Sequence, residues 1–142
     1  MLFRSEAPVL AYYDVRKDVT IHCDASKSAV GAVLLQDGKP IAYASRKLRA
    51  SELNWAPIEK EMLAIVFSTQ KFREYFLGKE TLVQTDHKPL EMILRKPIAT
   101  APLRFQAMTL KVSGYDLKVE YLPGKNQILA DTLSRADRKS VV

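Results

Sequence analysis

The sequence is poor in the residues that staple or anchor a chain. Cys23 is its single cysteine, so no internal disulfide can form and a reducing compartment suits it. As a nucleophile Cys23 is badly placed, in the middle of a strand-like run, and it reads as a small buried hydrophobe. No apolar stretch approaches the roughly 20 residues that span a bilayer. Met1 to Ala7 lacks the basic-then-apolar layout of a signal peptide. The expectation is a soluble, intracellular protein without a membrane partner. Histidine is scarce, with only His22 and His87, and there is no repeat or low-complexity segment.

What is present is apolar material and charge. Hydrophobic residues make up 47% of 142 positions, enough for one real core in one domain. The net charge of +6 suits attraction to a polyanion, although many basic soluble domains bind no nucleic acid. Four acids stand out against this basic background: Asp24 and Asp86 each close an apolar strand-like run, and Glu61 and Asp131 each lie in a helix-like run. Carboxylates in such places forfeit hydration unless a cation meets them. A pair of Mg²⁺ ions would meet all four, and the pattern suggests phosphodiester hydrolysis.

Val19, Ile21 and Cys23 alternate with Thr20, His22 and Asp24, the period of a half-buried strand ending in an acid. Gly31 to Gln36, Asp37-Gly38 and Pro40 to Ser45 predict an antiparallel hairpin, because Asp-Gly takes the positive φ of a tight turn. From Pro57 to about Leu77 a stripe of Ile58, Met62, Ile65, Thr69, Phe72 and Phe76 predicts a helix. Turning 100° per residue sets Glu61 about 60° from the stripe's centre, Lys60 nearly opposite and Glu59 on the far flank. Of the two glutamates, Glu61 is the one expected to face inward. Thr81 to Asp86 predicts a strand parallel to the first, because a long helix intervenes. A helix opening at His87, a loop punctuated by Pro97 and Pro102, a helix over 103–112, a strand over 117–121 and a helix over 127–134 complete the order. The expected fold class is α/β: a five-stranded mixed sheet, its first three strands antiparallel and the rest parallel, flanked by helices.

The order and the acids together resemble the ribonuclease H domain at the end of the reverse transcriptase in long-terminal-repeat retrotransposons of the Ty3/gypsy type and, more distantly, retroviral ribonuclease H. Matching segments run along nearly the whole chain: Cys23-Asp-Ala-Ser26 with Gly31-Ala-Val-Leu34, Ile41-Ala-Tyr-Ala-Ser-Arg46, Glu59-Lys-Glu-Met-Leu-Ala-Ile-Val66, Thr85-Asp-His-Lys-Pro-Leu90, Tyr121-Leu-Pro-Gly124 and Ala130-Asp-Thr-Leu-Ser-Arg135. The resemblance implies a ribonuclease H-like fold and an endonuclease that cuts the RNA strand of RNA–DNA hybrids, leaving 3′-hydroxyl and 5′-phosphate ends. It puts Asp24, Glu61, Asp86 and Asp131 on the four catalytic, metal-binding positions. By that likeness Asp24 bridges two ions, Asp131 holds the one that activates water, and Glu61 with Asp86 holds the one at the leaving oxygen. Mg²⁺ is the implied cofactor, with Mn²⁺ as a substitute.

The candidate substrate contacts are Ser26, Lys27, Arg46, His87 and Lys88, with Lys47, Arg49, Arg95 and Lys96, and Ser45 and Asn54 as hydrogen-bonding partners, as further candidates. Trp55 is expected at an edge of the core, and His22 in a structural role, with exposure beside the site as the alternative. The loop from Tyr121 to Ala130 lacks the histidine that cellular and retroviral relatives carry before their last aspartate, which predicts slower turnover. The implied organisation is a linker from the polymerase connection over 1–15, the ribonuclease H domain over 16–135 and a flexible tail over 136–142. The implied partners are the hybrid and the polymerase part of the same reverse transcriptase, with the isolated domain monomeric. The implied location is the cytoplasm within a virus-like particle, with the nucleus as an alternative. Two rivals are a non-catalytic relic, expected to have lost an acid, and a transposase or integrase core, expected to carry an acid on a late helix at another spacing.

Overall fold

The computed structural model describes residues 10–88 and 102–122. The strands are β1 (Thr20–Ala25), β2 (Ala29–Gln36), β3 (Lys39–Lys47), β4 (Thr81–Thr85) and β5 (Leu117–Tyr121), and the helices α1 (Pro57–Phe76) and α2 (Leu103–Val112). They build one five-stranded sheet in the order β3-β2-β1-β4-β5. β1, β2 and β3 pair antiparallel, whereas β4 joins β1 and β5 joins β4 in parallel. The expected mixed sheet is therefore present. The β2–β3 turn has Asp37 at φ 52° and Gly38 at φ 73°, the left-handed pair that lets a two-residue turn follow the twist of its strands. Gly78, at φ 82°, turns the chain out of α1.

The core forms where β1 and β2 meet α1. Val19, Ile21, Cys23, Val30, Ala32 and Leu34 pack with Met62, Ile65, Phe72 and Phe76. Cys23 is buried as expected, its Sγ 3.1 Å from Ser68 Oγ, and burial pushes its thiol up to about 12, which silences it as a nucleophile. Glu59 departs from the single-stripe reading, for it is buried along with Glu61. α1 is covered on a second face by α2, where Arg104 Nη1 donates to both Glu59 oxygens at 3.2 Å. Glu59 also accepts the Ala56 N–H at 3.0 Å, satisfying a donor that α1's first turn leaves open. Trp55 packs at the edge of the core, with the Arg104 guanidinium over its ring at 4.5 Å.

The lead-in to β1 is held against the end of the sheet where β1 and β4 begin. Gln36, itself buried, reads the backbone of Asp14 on both sides, accepting its N–H at 2.8 Å and donating to its carbonyl at 2.7 Å. Tyr13 donates to the Tyr75 carbonyl at 2.7 Å. Lys79 closes this clasp from the start of β4, donating to the carbonyls of Val15 at 2.6 Å and Lys17 at 2.9 Å with its ammonium 5.3 Å from the Tyr13 ring centroid. The helix expected to open at His87 is described only as far as Lys88, and the helix over 127–134, the tail over 136–142 and the first nine residues lie outside the described residues, as do Asp131, Arg95 and Lys96.

Replacing Lys79 with Met removes those charge-assisted bonds while keeping the stem. The expected loss is about 1–3 kcal/mol, a fall in Tm of about 3–10 °C for a domain of this size. Thermal unfolding checks it, and an unchanged Tm would show that the clasp contributes nothing.

Candidate active site

β1 and β4 run side by side and parallel, with Cys23 opposite Thr85. One row further along, the next residues are Asp24 and Asp86, which the pairing brings to the same end of the sheet. Glu61 comes from the second turn of α1, the helix packed over β1. One carboxylate oxygen from each of Asp24, Glu61 and Asp86 lies within 4.8 Å of the others. Glu61 is buried, Asp24 half-buried and Asp86 exposed, so the cluster opens to solvent on the Asp86 side.

Three carboxylates this close resist ionising together. Burial pushes Glu61 up to about 8, with the charges of Asp24 and Asp86 acting in the same direction. Asp24 is pushed up to about 6 by burial first and the Asp86 charge second. The Ala25 N–H opposes this, donating to Asp24 Oδ1 at 2.9 Å. Among the described residues no lysine or arginine ion-pairs with any of the three, and the buried Glu61 Oε2 has no hydrogen-bond partner. An all-oxygen, anionic donor set with an unspent buried oxygen fits a hard divalent cation. Asp131, the fourth expected ligand, lies outside the described residues.

The other expected site residues fall around this cluster with different commitments. Ser26 shapes the β1–β2 turn, its N–H donating to the Ala29 carbonyl at 2.8 Å and its Oγ accepting the Ala29 N–H at 3.1 Å. Lys27 is exposed in that turn, and its carbonyl accepts Lys60 Nζ at 3.1 Å. His87 follows Asp86, and its N–H donates to Thr85 Oγ1 at 3.2 Å. Burial lowers the imidazole's pKa and the Asp86 charge opposes it. Lys88 is exposed. Arg46 is engaged: Nη1 and Nη2 donate to the two oxygens of buried Glu52 at 2.9 and 3.2 Å. Glu52 also accepts the Arg49 N–H at 2.7 Å, which locks the loop leading to α1. His22 is buried rather than exposed, at 6% accessibility. The sequence reading did not find Glu52 or Arg104. The only available signal for Glu52 was an acid three residues after Arg49, a common surface spacing.

A mixed sheet in this order, carrying three converging carboxylates on β1, α1 and the end of β4, defines a ribonuclease H-like domain. Residues 14–115 match the family described as the RNase H-like domain found in reverse transcriptase, and the chain belongs to that family. It is 42% identical over 130 residues to the retrovirus-related Pol polyprotein from transposon 297 of Drosophila melanogaster, covering 90% of this chain and 12% of that one. To the corresponding polyprotein from transposon gypsy of the same organism it is 37% identical over 135 residues, covering 94% and 13%. These relatives are of the Ty3/gypsy type, and the chain spans about an eighth of their length. Among solved structures, the RNase H1 of the halophilic archaeon Halobacterium salinarum NRC-1 superposes with a TM-score of 0.63 at 17% identity, covering 85% of this chain and 98% of that one. A foamy viral protease-reverse transcriptase in complex with an RNA/DNA hybrid gives 0.66 at 21% identity, covering 80% and 16%. At these identities the structures establish the shared fold.

The raised carboxyls give a signed prediction for the metal-free domain. Between about pH 4.5 and 8 the folded Glu61 keeps a proton that the unfolded chain has released, so stability falls as pH rises through that window. Asp24 adds to the fall between about pH 3.8 and 6. Denaturant midpoints with a chelator are expected to drop from pH 5 to pH 8, and Glu61→Gln to shrink the drop and raise the pH 8 midpoint. A Glu61→Gln protein no more stable than the parent at pH 8 would contradict this.

Proposed function

We propose that this domain hydrolyses the RNA strand of RNA–DNA hybrids during reverse transcription of a Ty3/gypsy-type element, leaving 3′-hydroxyl and 5′-phosphate ends. The observation that carries the reading is the convergence of Asp24, Glu61 and Asp86 within 4.8 Å, unpaired by any cationic side chain among the described residues. Two Mg²⁺ ions, or Mn²⁺ in their place, would supply water activation and charge neutralisation at the scissile phosphate. On the resemblance, Asp24, Glu61, Asp86 and Asp131 would hold the ions.

The chain's own contribution is binding and orientation. Asp24 is fixed by its pairing with Gly31 of β2 and by the Ala25 N–H, and Glu61 by the body of α1, so these carboxylates are ordered before substrate arrives. Lys27 and Lys88 offer exposed charge for phosphates, and Ser26 offers a hydroxyl for phosphate or ribose. His87 orients the segment after Asp86. Arg46 acts through Glu52, holding the loop before α1 in place. The domain works as part of a longer polyprotein, joined to its polymerase, and acts in the cytoplasm within a virus-like particle, with the nucleus as the alternative compartment; alone it is monomeric. The intact acid cluster favours this reading over a non-catalytic relic.

The test is incubation with a labelled RNA–DNA hybrid in Mg²⁺ and in Mn²⁺, with duplex DNA as control. Expected is metal-dependent loss of RNA with DNA untouched, reduced about 10³-fold or more by Asp24→Asn or Asp86→Asn. No cleavage with either metal, even with the polymerase added in trans, would overturn it.

A further inference from the structure

The helix that carries Glu61 opens without the usual side-chain cap. Ala56 precedes α1 and no side chain there caps the first turn, so the turn is closed from one side, by Glu59 accepting the Ala56 N–H at 3.0 Å. Glu59 is itself buried, and a carboxylate in such a place needs a cation and donors of its own. Arg104 supplies them, its Nη1 donating to both Glu59 oxygens at 3.2 Å. Arg104 is placed from two directions. Its helix α2 is seated by the buried side chains of Phe105 and Met108, and its guanidinium lies over the Trp55 ring at 4.5 Å. The Trp55 N–H donates to the Glu52 carbonyl at 3.0 Å, and Glu52 is gripped in turn by Arg46 of β3. The start of α1 is thus tied to α2 on one side and to β3 on the other.

Glu61 has little hold of its own. Its Oε2 has no hydrogen-bond partner among the described residues, and the neighbouring Asp24 and Asp86 repel it. The backbone of α1 therefore decides where its carboxylate stands. Glu59 and Glu61 lie about 200° apart around the helix, so Arg104 grips the flank turned away from the acids. A roll of about 10° at this turn would carry a group at the rim of the helix, about 5–6 Å from its axis, through about 1 Å. Displacements of that size decide whether a site works. We propose that Arg104 is a positioning residue: by holding Glu59 it fixes the roll of α1 at its start, and with it the place of the Glu61 carboxylate in the divalent-ion site. The proposal rests on the ion-site reading above.

The experiment measures Mg²⁺ affinity by calorimetry on the whole chain, for the parent, Arg104→Met, Glu59→Gln, the double variant, Lys79→Met and Asp24→Asn, with the metal-free Tm of each. Groups that orient a metal-binding side chain typically govern affinity by about 10–100-fold, and Arg104→Met is expected to weaken Mg²⁺ about 10-fold. Glu59→Gln weakens it in the same direction, and the double variant loses no more than Arg104→Met alone, because the two residues act as one unit. Lys79→Met, which loosens the opposite end of the sheet, lowers Tm and keeps the parent's affinity. Parent affinity in Arg104→Met would overturn the proposal, as would equal weakening in Lys79→Met, which would trace the loss to stability alone. Losses that multiply in the double variant would overturn action through Glu59. If Arg104→Met does not fold, Glu59→Gln decides: weakened affinity supports the proposal and parent affinity overturns it. Absence of ion binding in the parent, or binding unaffected by Asp24→Asn, would instead strike the ion-site reading itself.

Discussion

Mutual repulsion among Asp24, Glu61 and Asp86 is the constraint on which the rest of the structure depends. Three carboxylates within 4.8 Å oppose the fold that gathers them, and no cationic side chain among the described residues relieves them. What keeps them together is the apolar packing of α1 on β1 and β2, together with the hydrogen-bonded pairing of β1 to β4. Glu61 sits between Ile58 and Ile65, and Asp24 directly follows buried Cys23, so packing the apolar neighbours delivers both acids to the cluster. A site strained in this way stays ready for a cation, because binding one relieves repulsion the fold already bears.

Four of the described basic residues are committed to other partners. Arg46 is held by Glu52, Arg104 by Glu59 and the face of Trp55, Lys79 by backbone carbonyls, and Lys17 by Asp37. None of them pairs with the three acids. Among the described residues these cations leave the cluster without an internal salt bridge, while the chain as a whole carries a net charge of +6, suited to drawing in a polyanion.

Much of this was legible in the sequence because the relevant signals are local and periodic. Alternation over Val19 to Asp24, the Asp37-Gly38 turn and the apolar stripe of α1 report backbone conformation directly, and they deliver the sheet and the converging acids. Glu59 shows where periodicity stops helping. A single stripe assumes one buried face, whereas α1 is buried against the sheet and against α2, and only tertiary packing brings Arg104 to Glu59. Glu52 escaped for a related reason: its partner Arg46 lies on a strand six positions earlier, a separation that follows no regular period. The burial of His22 depends on neighbours the strand pattern does not encode. The lead-in over 11–17 has no period at all, and its hold on Gln36, Tyr75 and Lys79 comes from tertiary contacts.

The most direct measurement of the central claim, that these carboxylates form a cation site held under strain, is calorimetric titration of the domain with Mg²⁺ at pH 7 in buffers of differing ionisation enthalpy. With Glu61 at about 8 and Asp24 at about 6, the metal-free cluster retains a proton at pH 7. The account predicts saturable binding that releases about one proton, abolished in the Asp24→Asn protein. Saturable binding with no proton released, or binding indifferent to the loss of Asp24, would contradict it.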